Sequence, residues 1–190
     1  MTPTLRNPRR WQRAVRACCA LLVPTGASLM LLGASGSAAI AFDKSELVKA
    51  AIIEKIARFI DWPALTAGAF QLCAAEDHPQ LPVLRAYYEG AQIAERPVAV
   101  RPVRRFEGYA GCNLIVMSPR ETADVPRFRA LAEKEHLLLI AEGAELAKRG
   151  VHVGYFSDTN RLRLEVNKRG LEASGLKASF RLLEVAKLVE

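Results

Sequence analysis

The stretch "CNLIVM", residues 112–117, decides the fold, because its apolar side chains follow one another almost without polar interruption. Such a short run is typical of a β-strand that is covered on both faces, as in a parallel sheet. Similar apolar runs occupy residues 70–75, 98–103 and 137–141, and helical patterns occupy residues 81–88, 125–135 and 144–149. Strands that alternate with helices predict an α/β fold with a mostly parallel central sheet flanked by helices.

A helix with one apolar face precedes these strands. Its apolar residues recur at steps of three and four: Ile52, Ile53, Ile56, Phe59 and Ile60. Asp43 followed by Glu46 has the pattern of a capping box and predicts the start of the helix. Pro63 disfavours helical geometry at Trp62, so we expect the helix to end near Asp61.

A hairpin and a terminal helix are predicted after the last parallel strand. Residues 151–156 and 161–166 alternate between apolar and polar positions across a polar turn, which is typical of an antiparallel hairpin. Asn167 can cap the short helix that follows, and Gly175 can end it. Residues 178–189 then have the pattern of a last amphipathic helix.

The first 41 residues have the composition of an export signal. Five arginines precede an apolar run that ends in Ala39-Ile40-Ala41, a small-x-small cleavage pattern. We expect a Sec signal peptide that is cleaved before Phe42 and leaves a single domain, residues 42–190, in the periplasm. The alternative is an uncleaved anchor, since residues 17–41 are long enough to span a bilayer.

The formal net charge of +7 comes mostly from this leader. The leader holds five of the 27 basic residues and none of the 20 acidic ones, so the mature chain has 22 basic residues and a net charge of +2. This near balance argues against nucleic acid as a partner, because nucleic-acid binding proteins carry a basic face.

The cysteine content points to a disulfide. Loss of the leader removes Cys18 and Cys19 and leaves only Cys73 and Cys112 in the mature chain. An exported protein with one pair of cysteines is expected to be oxidised, so we predict one intramolecular bridge with Cα atoms within about 7 Å. Two separate buried thiols are the alternative.

No motif in the sequence indicates catalysis or a cofactor. A nucleophile elbow, a phosphate-binding glycine loop and a paired-carboxylate motif are all missing. The three histidines, His78, His136 and His152, lack the i+3 or i+4 partner of a helical metal site. Arg101, Arg104 and Arg105 form a basic cluster that either grips an anion or solvates a strand end. We therefore predict no enzyme, no metal and no cofactor.

Four stretches together resemble the YfiR family of small exported bacterial proteins. They are "LVKAAIIEKIARFIDWP" (47–63), "FQLCAAE" (70–76), "CNLIVMS" (112–118) and "RLRLEVNKRGLEASGLKASFRLLEVAKLV" (161–189). The resemblance implies a non-catalytic periplasmic regulator that represses the periplasmic sensory domain of an inner-membrane diguanylate cyclase. The resemblance further implies that this repression lowers cyclic di-GMP and, with it, biofilm formation. It also implies a homodimer and a possible small-molecule effector.

The resemblance marks Asp61, Trp62, Glu165 and Asn167 as candidates for the partner or ligand surface. We expect Glu165, which lies between two apolar residues of a strand, to face outward, where it is free to bind and its replacement leaves the fold nearly unchanged. The N–H of a buried tryptophan seeks a partner, which Glu165 or Asn167 can supply. The alternative for Trp62 is purely structural, a helix stop folded onto the core.

Some features leave other functions open. Ala147 and Gly154 stand where some relatives carry a second disulfide, so a redox switch that relies on that bridge is not expected. The partner can also be a sensor kinase. Alternatively, the chain is an exported small-molecule binding protein that feeds such a receptor, or an enzyme with a dispersed site. A partner-binding protein should expose an apolar patch, whereas a ligand binder should hold a pocket with convergent polar groups. An enzyme should add perturbed titratable groups to that pocket.

Overall fold

A computed structural model describes residues 42–62, 65, 68–159 and 161–189. The predicted signal peptide and its cleavage site lie outside the described residues, as does Pro63. The helices are α1 (Lys44–Arg58), α2 (Leu81–Tyr87), α3 (Val125–Glu135), α4 (Lys168–Ala173) and α5 (Phe180–Val185). The strands are β1 (Ile60–Asp61), β2 (Phe70–Ala75), β3 (Gln92–Ile93), β4 (Arg96–Val103), β5 (Leu114–Met117), β6 (Leu138–Glu142), β7 (Val153–Asp158), β8 (Arg161–Asn167), β9 (Lys177–Ala178) and β10 (Lys187–Val189).

The main sheet has eight strands in the order β10-β8-β7-β6-β5-β2-β4-β3. All neighbours run parallel except the hairpin β7–β8 and the edge pair β3–β4. A separate antiparallel pair, β1 with β9, lies outside this sheet. These pairings confirm the predicted α/β fold with a mostly parallel sheet and a C-terminal hairpin.

Successive residues of the central strands are buried on opposite faces of the sheet. In β5, Leu114 and Val116 belong to the core that includes apolar residues of α1 and α2. Ile115 and Met117 belong to a second core, which α3 covers through Phe128. Because both faces are covered, the strand needs no polar positions, which explains the uninterrupted apolar run in the sequence.

The strand order places a topological switch point between β2 and β5. From β2 the chain passes through α2 to β4 on one side of β2, and then to β5 on the other side. The order β4-β2-β5-β6-β7 is therefore the 2-1-3-4-5 order of flavodoxin-like sheets. Open α/β sheets bind ligands outside the carboxyl ends of their strands at such a point.

The tail, residues 177–189, differs from the predicted single helix. It forms the strand β9, the short helix α5 and the edge strand β10, which pairs in parallel with residues 165–167 of β8. Only Leu182 among the residues of α5 is buried. The edge of β8 offers unpaired backbone groups, and pairing them with residues 187–189 replaces the last helical turns.

One predicted helix is absent, and the side-chain cap expected for α1 does not form. Residues 144–149 form turns, because Glu145 has a left-handed φ of 64° and donates its backbone N–H to the Glu165 carboxylate instead of a helical ladder. At the start of α1, Asp43 makes no side-chain cap hydrogen bond, because its carboxylate accepts from the Ser45 hydroxyl. The helix still begins there, at Lys44.

Candidate regulatory surface

Asp61 and Trp62 lie where the end of α1 meets the tail. Asp61 is exposed in β1 and lies opposite Lys177 of β9, so the two strands bring an acid and a base side by side. The backbone N–H of Ser179 donates to the Phe59 carbonyl at 2.8 Å and extends this contact by one bond. The first part of the tail is thereby fixed to α1.

Trp62 lies just beyond the end of α1 and contacts its last turn. Its Nε1–H donates to the carbonyl of Ala57 at 3.1 Å, which satisfies a backbone acceptor in the last turn of α1. Its ring is half-buried and meets Phe70 edge to face, with centroids 5.0 Å apart. Neither Glu165 nor Asn167 is the partner of its N–H, so that expectation is wrong, and the observed contacts match the structural alternative.

Glu165 faces inward, contrary to the expected outward orientation. The residue is 1 % exposed. One carboxylate oxygen accepts from the backbone N–H of Glu145 at 2.8 Å, and the other lies 3.2 Å from Nζ of Lys187 in β10. The side chain therefore joins the turn after β6 to the edge strand β10.

Asn167 caps α4, as predicted. Its Oδ1 accepts from the backbone N–H of Gly170 at 2.7 Å, and its Nδ2 donates to the carbonyl of Ala147 at 3.1 Å. The residue is buried, so both ends of its amide serve the fold. Asn167 is thus a support beneath a surface and not a part of the surface itself.

The exposed apolar side chains near these residues lie in the tail. Phe180 is 73 % exposed and Val185 71 %, both in α5, and Leu188 of β10 is 51 % exposed. We call these three residues the tail patch. These three residues were not predicted from the sequence, because the expected helix over residues 178–189 buries its apolar side chains. The sequence carried no clear signal, because Leu188 and Val189 are consecutive apolar residues that suit a helix as well as a strand.

Cys73 and Cys112 form the predicted disulfide, with Cα atoms 6.0 Å apart. The bridge joins β2 to the residues just before β5. Arg101 on β4 covers it, with Nη2 2.9 Å from Sγ of Cys112 and Nε 3.4 Å from Sγ of Cys73. This arginine of the basic cluster therefore contacts the disulfide, whereas Arg104 pairs with Glu76 at the surface.

Two histidines are buried, and their nitrogens are used inside the fold. His152 accepts from the backbone N–H of Leu139 at Nδ1, 3.2 Å away, and Nε2 lies 3.1 Å from the Ser174 hydroxyl. Complete burial lowers the pKa of His152 to about 3. Burial also lowers the pKa of His78, and a hydrogen bond with the Met117 backbone opposes this shift only in part.

The structure brings the four predicted residues to two ends of one segment. Asp61 pairs with the tail at β9, with Trp62 next to it in the sequence, and Glu165 holds the tail at β10, near the cap residue Asn167. Among the described residues, no hydrogen bond joins the first pair directly to the second. In the same part of the chain, no group of three or more histidine, cysteine or acidic residues is placed to hold a metal ion.

The fold and the tail define a small α/β protein with a disulfide and three exposed apolar side chains in the tail. The chain belongs to the YfiR/HmsC-like family, whose model matches residues 46–187. At the level of the family, membership supports a periplasmic regulator of cyclic di-GMP signalling and not a catalyst. No curated protein matches the chain. Within the described ranges, no helix is both long and apolar enough to cross a bilayer.

Proposed function

We propose that the protein is a non-catalytic periplasmic regulator that binds and represses the periplasmic sensory domain of an inner-membrane diguanylate cyclase. Repression lowers cyclic di-GMP. The observation that carries the proposal is the family match over residues 46–187. Phe180, Val185 and Leu188 are the most exposed large apolar side chains among the described residues, and we propose that the partner binds there.

The way the tail is fixed suggests how the patch functions. β9 pairs with β1 at one end, and β10 pairs with β8 at the other end, where Lys187 meets the buried Glu165. α5 lies between these two attachments and carries Phe180 and Val185. A surface that is ordered before binding loses less conformational entropy in the complex. Asp61, Trp62, Glu165 and Asn167 are therefore proposed to hold the patch in place, and Asp61 alone is exposed enough to touch the partner.

The test combines a binding assay with a cyclic di-GMP readout. Phe180→Ser together with Val185→Ser should abolish binding to the purified sensory domain and raise cyclic di-GMP to the level of cells that lack the protein. Val48→Ser on α1 is the matched control, since Val48 is also an exposed apolar residue, at 50 %. The proposal would be contradicted if the tail variant folds, is exported and still represses the cyclase as strongly as the parent.

We also propose that the protein is a homodimer and that cleavage before Phe42 releases it into the periplasm. Sedimentation of the exported protein measures its oligomeric state, and its intact mass shows whether the chain is cleaved before Phe42. If the dimer dissociates in the Phe180→Ser, Val185→Ser variant, the tail patch forms contacts between two copies of the chain. This outcome would count against binding of the cyclase by the tail patch.

A further inference from the structure

A small polar cavity opens at the carboxyl ends of β2, β5 and β6, on the side of the sheet where α1 begins. Its volume is about 260 Å³. The polar lining consists of Glu46 and Lys49 from α1, His78 and Gln80 after β2, and Glu142 at the end of β6, with Met117 of β5 beside them. The cavity therefore lies at the switch point between β2 and β5, where sheets of this strand order bind ligands.

Lys49 forms ion pairs with both glutamates of the cavity. Its Nζ lies 2.9 Å from one oxygen of Glu46 and 3.0 Å from one oxygen of Glu142. Burial lowers the pKa of Lys49, but the hydrogen bonds with the two glutamates outweigh burial and raise the pKa to about 12. Lys49 is therefore charged, and two carboxylates around one ammonium group leave a net charge of −1. The second oxygen of each glutamate can accept a hydrogen bond from a ligand.

Gln80 also lines the cavity and carries a donor without a partner in the described part of the chain. Its Oε1 lies 3.4 Å from the Tyr155 hydroxyl, while its buried Nε2 has no hydrogen-bond partner within the described residues. The position of Gln80 is fixed, because its backbone N–H donates to Nδ1 of His78 at 3.0 Å. A buried donor without a partner is unfavourable, and a ligand oxygen that reaches Nε2 would satisfy it.

We infer that this cavity binds an amino sugar, with the ammonium group at Glu46 and Glu142 and a ring hydroxyl at Gln80. The net charge of −1 favours a cationic ligand and opposes a carboxylate. Hydroxyl groups both donate and accept, so they match a lining that holds the Lys49 and Gln80 donors next to glutamate acceptors. A cavity of about 260 Å³ lies just below the range of drug-sized sites and suits one sugar ring.

Calorimetric titration with three sugars of one ring size tests the inference on the mature protein. Glucosamine should bind at millimolar concentration, glucose at least about tenfold more weakly, and glucuronate more weakly still. Glu142→Gln should weaken glucosamine binding at least about tenfold and leave glucose binding nearly unchanged. Glu172→Gln is the matched control, since Glu172 is an exposed acid on α4 outside the cavity.

A second variant tests the Gln80 side chain. Gln80→Met removes the donor, retains the length of the side chain and should weaken both glucosamine and glucose, with thermal melts as the check on folding. Absence of glucosamine binding to the folded parent overturns the inference, as does glucuronate binding equal to or tighter than glucosamine binding. These titrations need no partner protein, so their failure leaves the proposed repression untouched, and failed repression leaves the cavity untouched.

Discussion

At the scale of single residues, Glu165 has the largest structural role among the candidate residues. A carboxylate that is almost fully buried must be paired and hydrogen-bonded, since an unpaired buried charge is very costly. Here the backbone of Glu145 and the Nζ of Lys187 fill these roles. The sequence could not show this, because the pairing depends on the turn after β6 and on β10, which are remote in the chain from Glu165.

We predict that Glu165→Ala lowers the free energy of unfolding by about 1–3 kcal/mol, because the Glu145 N–H and Lys187 lose a charged partner. Lys187→Met should cost at least as much, since it leaves the buried Glu165 carboxylate without its cationic partner, whereas Glu165→Ala leaves a lysine that is 60 % exposed and that water can solvate. Urea unfolding midpoints measure both. Glu172→Ala serves as the surface control, and a cost for Glu165→Ala as small as that of the control would show that the carboxylate does not stabilise the fold.

His152 predicts a dependence of stability on pH. Complete burial disfavours the charged ring and lowers the pKa of His152 to about 3, and in the fold Nδ1 already accepts from the Leu139 N–H. The unfolded state binds the proton near the ordinary pKa of about 6.5. Below that pH the unfolded state holds more protons, so the free energy of unfolding should decrease as pH falls from about 6.5 toward 3, by at most about 1.4 kcal/mol per pH unit.

Unfolding curves at several pH values isolate this contribution by comparison of variants. His152→Gln should show a shallower loss of stability on acidification than the parent. Identical slopes for the parent and His152→Gln would contradict the buried, neutral histidine.

At the scale of elements, prediction succeeded where local pattern and tertiary packing agree. α3 occupies residues 125–135 as predicted, because Val125, Phe128 and Ala132 recur on one face and that face covers the sheet. The prediction for the tail was wrong, because its sequence pattern suits either a helix or a strand. Residues 187–189 form a strand because they pair with the open edge of β8. The exposed tail patch follows from that choice, so the sequence could not locate it.

The end of α1 gives a prediction at the same scale. Trp62→Phe keeps an aromatic ring against Phe70 but removes the hydrogen bond to Ala57, so we expect a loss of about 0.5–1.5 kcal/mol in the free energy of unfolding. Trp62→Ala should cost more, yet less than the about 3–5 kcal/mol of a fully buried tryptophan, because the side chain is only half-buried. Chemical denaturation measures both, and equal costs would assign the whole effect to the hydrogen bond.

At the scale of the whole molecule, the disulfide closes a loop across the centre of the sheet. Cys73 and Cys112 are 39 residues apart in sequence, and the loop between them contains α2, β3 and β4. β2 and β5 also pair directly through residues 72–74 and 114–116. The bridge therefore reinforces two strands that the hydrogen-bond ladder already joins.

This redundancy predicts that the bridge stabilises the fold and does not switch it. Replacement of both cysteines by alanine should lower the free energy of unfolding by about 4 kcal/mol through the greater entropy of the unfolded chain, while the far-UV spectrum stays that of the parent. Far below the melting temperature, the variant should repress the cyclase as the parent does, because the tail patch is attached through β1 and β8 and not through the bridge. Loss of repression in a variant that remains folded would show instead that oxidation of Cys73 and Cys112 controls the regulatory surface.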